Sequence, residues 1–128
     1  GRRPTYCLMC VGSLAIIPTF YLVPQSFDLG LLFLAFLMGG ITAAFYGWLP
    51  LYLPELFKTN VRATAQGFAF NFGRILAAVA ALQTGNLIGL FKEVGGLPMA
   101  CSIMSLVYVV GMLVIWAAPE TKDKPLPE

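Results

Sequence analysis

Charged residues along this chain fall in clusters, and between the clusters lie long uncharged stretches at residues 4–27, 29–54 and 94–119. A fourth stretch, 63–91, is broken by Arg74 alone. Each exceeds the roughly 20 apolar residues that a helix needs to cross a hydrocarbon core. The pattern predicts an all-α integral membrane protein with four transmembrane helices over 6–23, 29–52, 65–90 and 98–117, followed by a tail at 119–128. Composition agrees. Only 11% of the 128 residues are charged and 59% are hydrophobic, whereas soluble domains carry roughly 25% charged residues.

The basic residues orient the spans. Arg2 and Arg3 precede the first, Lys58 and Arg62 lie between the second and third, and Lys122 and Lys124 follow the fourth. The opposite loops hold Gln25, Ser26 and Asp28 in one case and Lys92 with Glu93 in the other. The positive-inside rule then predicts a multi-pass protein of the cell membrane with both ends of the chain cytoplasmic. The net charge of +2 is an anchoring signal, and no basic stripe points to nucleic acid. Gly1 stands where a Met is expected and GRRP enters almost directly into a span, without the layout of a signal peptide. The expectation is a fragment of a longer chain.

Catalytic and metal chemistry find few carriers. There is no His, no G-x-S-x-G, no P-loop and no acidic pair inside a span, so nucleophilic, metal and acid/base schemes each lack a member. Cys7 and Cys10 have C-x2-C spacing, yet a zinc site needs two further ligands. With Cys101 they read as small buried hydrophobes. The expectation is no enzyme, no metal and no cofactor, and a protein that moves, holds or assembles with something.

The third span repeats small residues at every fourth position: Ala65, Ala69, Gly73, Ala77, Ala81, Gly85 and Gly89. Such spacing allows helix backbones to approach closely, and its slow drift predicts more than one neighbour. Arg74 interrupts the same span twelve residues after Arg62, roughly 18 Å along a helix. A charge at that depth costs about 2.5–3.5 kcal/mol or more unless it is paired or faces water. None of the span cores contains an Asp or Glu. Its partner is therefore an acid elsewhere in a parent protein or an anionic ligand, with snorkelling as a third option. Gln66, Phe70 and Arg74 recur at helical spacing and Asn71 lies nearby, so one broad face offers an amide, a ring and a guanidinium suited to carboxylate or phosphate.

In the second span Gly39, Gly40, Gly47, Pro50 and Pro54 permit bending. Thr42, Tyr46 and Trp48 add polar-tipped groups that line a cavity or, for the two aromatics, form an interfacial belt. Spans one and four have little internal polarity and are expected to face lipid.

These residues carry a resemblance. GRRP resembles the end of the cytoplasmic loop between helices eight and nine of a major facilitator superfamily transporter. LPELFKTNVRATAQGFAFNFGRI resembles the passage from helix ten into helix eleven, and PETKDKPLPE resembles the tail after helix twelve in sugar porters. The middle block is most similar to bacterial sugar, sialate and organic-acid proton symporters. Lys58 and Asn60 depart from the Pro and basic residue usual there. The resemblance covers essentially the whole chain and implies the C-terminal part, helices nine to twelve, of a twelve-helix transporter working by alternating access. Its partners would be the lipid bilayer, the missing N-terminal helices, a small and possibly anionic solute and a proton. Arg cannot release its proton at physiological pH, so the coupling group would lie outside this chain. The resemblance also implies a cytoplasmic gate of Arg2, Arg3, Glu55, Arg62 and Glu120, with Glu55 expected to pair with Arg3 or Arg62. The alternative class is a four-span membrane scaffold or assembly subunit.

Overall fold

The computed structural model describes residues 1–23 and 26–128; Gln25 lies outside the described residues. Five helices account for the four spans: α1 (Arg2–Leu22), α2 (Leu29–Leu56), α3 (Arg62–Leu90), α4 (Leu97–Met104) and α5 (Val107–Ala117). Among the described residues the fold is all-helical, and α1, α2, α3 and the α4–α5 unit are each long and apolar enough to cross a membrane. The helices run up and down, so the ends bearing Arg2, Arg3, Lys58, Arg62, Lys122 and Lys124 gather on one side, here termed the basic end.

Local sequence sets the boundaries. Asp28, in extended backbone, caps α2 by accepting the Leu31 N–H at 3.0 Å, which satisfies one of the free donors of a first turn. Pro4 occupies the first turn of α1, where a missing N–H costs little. Pro50 and Pro54 sit inside α2, which carries the helix one turn past the expected end at 52. The turn after α3 needs Gly95 and Gly96, with φ of 135° and 53°, a region closed to most side chains.

The fourth span is not one helix. Hydrogen bonds tighten to three-residue spacing from Leu106 N–H to the Ile103 carbonyl (3.0 Å) and from Tyr108 N–H to the Ser105 carbonyl (3.1 Å). Ser102 and Ser105 turn their hydroxyls onto the Pro98 and Ser102 carbonyls, at 2.8 and 2.6 Å. Side-chain competition of this kind is a recognised cause of helix distortion.

Spans one and four, expected to face lipid, expose apolar side chains such as Leu8, Val11, Leu113 and Val114 on one face and pack into the bundle with the other. α1 lies against α2, α4 and α5, and the buried residues Cys10, Ser13, Ala100, Ser105 and Ile115 all belong to α1 or the α4–α5 span and its break. Small residues make the approach possible: a Cβ on Gly12 would sit 3.2 Å from Ile41 Cγ2, and one on Gly111 would sit 3.2 Å from Tyr6 Oη. The reason is close backbone packing, which hydropathy does not register. The small-residue stripe of α3, by contrast, meets little. α3 leans lightly on α2 and α4, has no buried residue, and leaves the space around Gly73, Gly85 and Gly89 open among the described residues.

Candidate solute cleft and basic-end cluster

A cleft of about 660 Å³ opens between α2 and α3 toward the basic end, with Tyr6 of α1 and Tyr108 of α5 at its back. α3 contributes Ala69, Phe70, Gly73, Arg74 and Ala77, which share a face because helical positions three and four apart are neighbours. The small members leave the volume and the large ones furnish it. Arg74 stands over the Phe70 ring, its guanidinium carbon 5.3 Å from the ring centre, a cation–π arrangement. Among the described residues it makes no ion pair. Across the cleft α2 presents Thr42, Phe45, Tyr46 and Leu49. Tyr46 is 71% exposed, and Thr42 donates its hydroxyl hydrogen to the Met38 carbonyl at 2.7 Å, leaving oxygen lone pairs for the cleft.

Of the residues singled out in the sequence, Arg74, Tyr46 and Thr42 therefore meet on one cleft. Three others lie off it. Asn71 turns its amide onto the Gly67 carbonyl of its own helix at 2.8 Å. Gln66 is half-buried one turn before Phe70 and outside the lining. Trp48, a candidate for the cavity wall, is buried in the core against α1, stacked on Tyr52 at 4.6 Å and tilted against Tyr6 at 4.7 Å. It faces the other side of α2 because two residues beyond Tyr46 turn a helix by about 200°. Sequence reasoning missed Tyr6, Phe45 and Tyr108; no charge or motif marked them, and two sit in spans set aside as lipid-facing.

The basic end is organised differently. Arg2 meets Glu55 in a two-pronged ion pair, Nε to Oε2 at 3.0 Å and Nη2 to Oε1. Glu55 also accepts the Thr121 hydroxyl. The expected partners of Glu55 were Arg3 or Arg62, and the tertiary arrangement corrects both. Arg62 donates to the Phe57 carbonyl at 3.1 Å and to the Pro127 carbonyl at 2.9 Å, so the tail draws it away. Arg3 gives its backbone N–H, not its side chain, to Glu120 at 3.2 Å.

Glu120 is the cap that α1 lacks in its own sequence. Its carboxylate accepts the N–H of Arg2 at 2.8 Å as well as that of Arg3 and, from its own strand of tail, that of Lys122 at 3.2 Å. These backbone donors, Arg2 foremost, hold the carboxyl down at about 2, as expected where N–H groups stabilise the charged form. On either side of it Pro119 accepts the Tyr52 hydroxyl at 2.7 Å and Thr121 is buried on Glu55. The PETK segment thus ties the ends of α1, α2 and α5 together.

Four helices long and apolar enough to cross a membrane, a fastened end and an open cleft lined by Arg74 describe a multi-pass membrane protein. The chain belongs to the sugar (and other) transporter family, whose sequence profile matches residues 1–128. It is 34% identical over 125 residues to a probable 4-methylmuconolactone transporter of Cupriavidus pinatubonensis, covering 95% of this chain and 28% of the relative. It is 32% identical over 117 residues to a cis,cis-muconate transport protein of Acinetobacter baylyi, covering 85% and 27%. To a proline/betaine transporter of Escherichia coli it is 33% identical over 131 residues, covering 98% and 25%. The chain therefore spans about a quarter of the length of these relatives. No solved structure matches it significantly. The family's members are transporters, not enzymes.

Proposed function

We propose that this chain is helices nine to twelve of a twelve-helix secondary transporter of the cell membrane, that its basic end is cytoplasmic, and that the whole protein moves small carboxylate-bearing solutes by alternating access. The solute is an organic acid, a sialate or another acidic sugar derivative, and the proton-coupling group lies in helices outside this chain. The observation that carries the reading is Arg74: a full charge deep in a span, facing a cleft of about 660 Å³, with a ring beneath it and no acid beside it among the described residues. A guanidinium at membrane depth without an anion is costly, and a planar fork suits a carboxylate. The names of the relatives support the same chemistry, since muconate, proline and betaine all carry a carboxylate.

The roles follow from position. Arg74 holds the carboxylate, Phe70 keeps the guanidinium flat against α3, and Tyr46 and Thr42 meet the body of the solute. The Arg2–Glu55 pair and the Glu120 cap fasten the cytoplasmic ends of α1, α2 and α5, so that they move as one body when the halves rock. The test is uptake by the full-length protein in proteoliposomes under an imposed proton gradient, wild type against Arg74→Gln, with neutral sugars and organic acids as solutes. Selective loss of acid uptake supports the reading. Equal loss for all solutes in a folded variant makes Arg74 a structural group and overturns it.

A further inference from the structure

A second cleft, of about 420 Å³, lies toward the end opposite the basic one, between α1, α2, α3 and the break that joins α4 to α5. Thr42 and Tyr108 line both clefts, so the two meet. Their chemistry differs. The first holds Arg74; the second has no charged side chain in its lining. Its aliphatic hydroxyl groups are committed as donors to their own helices, Thr84 to the Ala80 carbonyl at 3.0 Å and Ser105 to the Ser102 carbonyl at 2.6 Å. Thr42 does the same toward Met38. None of these hydroxyl hydrogens is free for a second carboxylate. The rest of the wall is the rings of Tyr21 and Tyr108, the thioethers of Met38 and Met104, the half-buried thiol of Cys101 and the aliphatic side chains of Ile17 and Val107. Flexible thioethers adapt to varied apolar shapes.

Resting on the assignment of Arg74 as the carboxylate anchor, we infer that the second cleft is a subsite for the uncharged, apolar end of the same solute. The acid binds stretched, its carboxylate at Arg74 and its body passing Thr42 and Tyr108 into the Met38–Met104 pocket. Thr84 stands ten residues beyond Arg74 on α3, roughly 15 Å along the helix, so a short acid ends within the first cleft and a long one reaches the second. Specificity then lies in length and apolarity.

The experiment is calorimetric titration of the full-length protein with benzoate, 4-phenylbutyrate and 6-phenylhexanoate, together with the rate at which a water-soluble maleimide labels Cys101 as the sole cysteine. Each methylene that enters the second cleft tightens binding by about fourfold. The two longer acids slow labelling of Cys101 and benzoate does not. Thr84→Phe, which fills the second cleft from the lightly packed α3, removes the gain from length and leaves benzoate binding unchanged. If all three acids bind but labelling is unaffected and Thr84→Phe is silent, the second subsite is overturned while the Arg74 anchor stands. If none of the acids binds the wild type, or Arg74→Gln binds them equally well, the anchor itself fails and the subsite with it.

Discussion

The basic end and the α2–α3 cleft both contain arginines that lie against helices, and they treat them in opposite ways. At the basic end Arg2 is locked to Glu55, Arg62 is held by two carbonyls, and even the amide hydrogens of α1 are taken up by Glu120. In the cleft Arg74 has an aromatic ring and, among the described residues, no counter-charge. Saturated hydrogen bonding makes a fastening, because every group has found its partner within the fold. On the proposed reading, a charge left unsaturated at membrane depth is a receptor whose partner is the solute.

The sharpest way to break this contrast is at Arg74. Arg74→Gln lowers the affinity for carboxylate solutes by roughly 100-fold, the scale of a lost hydrogen bond to a charged group, and Arg74→Lys recovers only part because it lacks the planar fork. Binding measured on the purified full-length protein checks both. A variant that leaves acid binding intact makes the two regions alike, each structural.

Next in size is the fastening. Glu120→Ala removes the acceptor from the first amides of α1 and also frees the tail, so the detergent-solubilised protein melts at a lower temperature than wild type while carboxylate affinity is unchanged. Thermal unfolding followed beside ligand titration separates the two effects. A change in affinity equal to that of an Arg74 variant would erase the division of labour.

The pH dependence of that cap has a definite sign. The Glu120 carboxyl is depressed to about 2 in the folded protein from an ordinary value near 4.5, so its contribution is complete above the ordinary value and is lost as pH falls from there through about 2. Hydrogen exchange at the Arg2 and Arg3 amides, corrected for intrinsic rates, is expected to stay slow from pH 7 to about 5 and to rise below that. Slow exchange persisting to pH 2, or equally slow exchange in Glu120→Ala, removes Glu120 from the role.

The smallest effect belongs to the Arg2–Glu55 pair. Glu55→Arg lowers uptake by about fivefold, the upper range of a surface ion pair, as befits one that is partly buried, and Arg2→Glu in the same chain restores most of it. Arg3→Glu, tried as the partner instead, restores nothing. Rescue by Arg3→Glu or Arg62→Glu would return the pairing to the one the sequence alone favours.

Much of the architecture was legible because it rests on properties that a linear pattern carries. The cost of placing charge in hydrocarbon disfavours charge within a span, so the clusters around Arg2, Lys58, Lys92 and Lys122 stand at or beyond helix ends. Arg74 stood out for the same reason: one charge in a long uncharged run has no local explanation. Thr42 and Tyr46 were found with it because a helix weakened by Gly and Pro rarely holds polar tips without use. What a pattern cannot carry is direction around a helix when both faces are apolar. Trp48 lies two residues from Tyr46 and points into the core, and spans one and four, featureless in hydropathy, turned out to form that core through the close approaches at Gly12 and Gly111.

The sequence by itself determined four membrane-crossing helices, their alternation, the gathering of basic residues at one end and the isolation of Arg74, since each follows from the energetics of a chain in a bilayer. The tertiary structure alone decided which partner each group received. Glu120 reaches the N-terminus of α1 across 118 residues and Glu55 finds Arg2 across 53. Tyr6 and Tyr108 meet Arg74 on one cleft, and the break at Ser105 opens a second beside it. Such pairings depend on which small residues let which backbones come close. That is a property of surfaces in three dimensions, and no local rule along the chain encodes it.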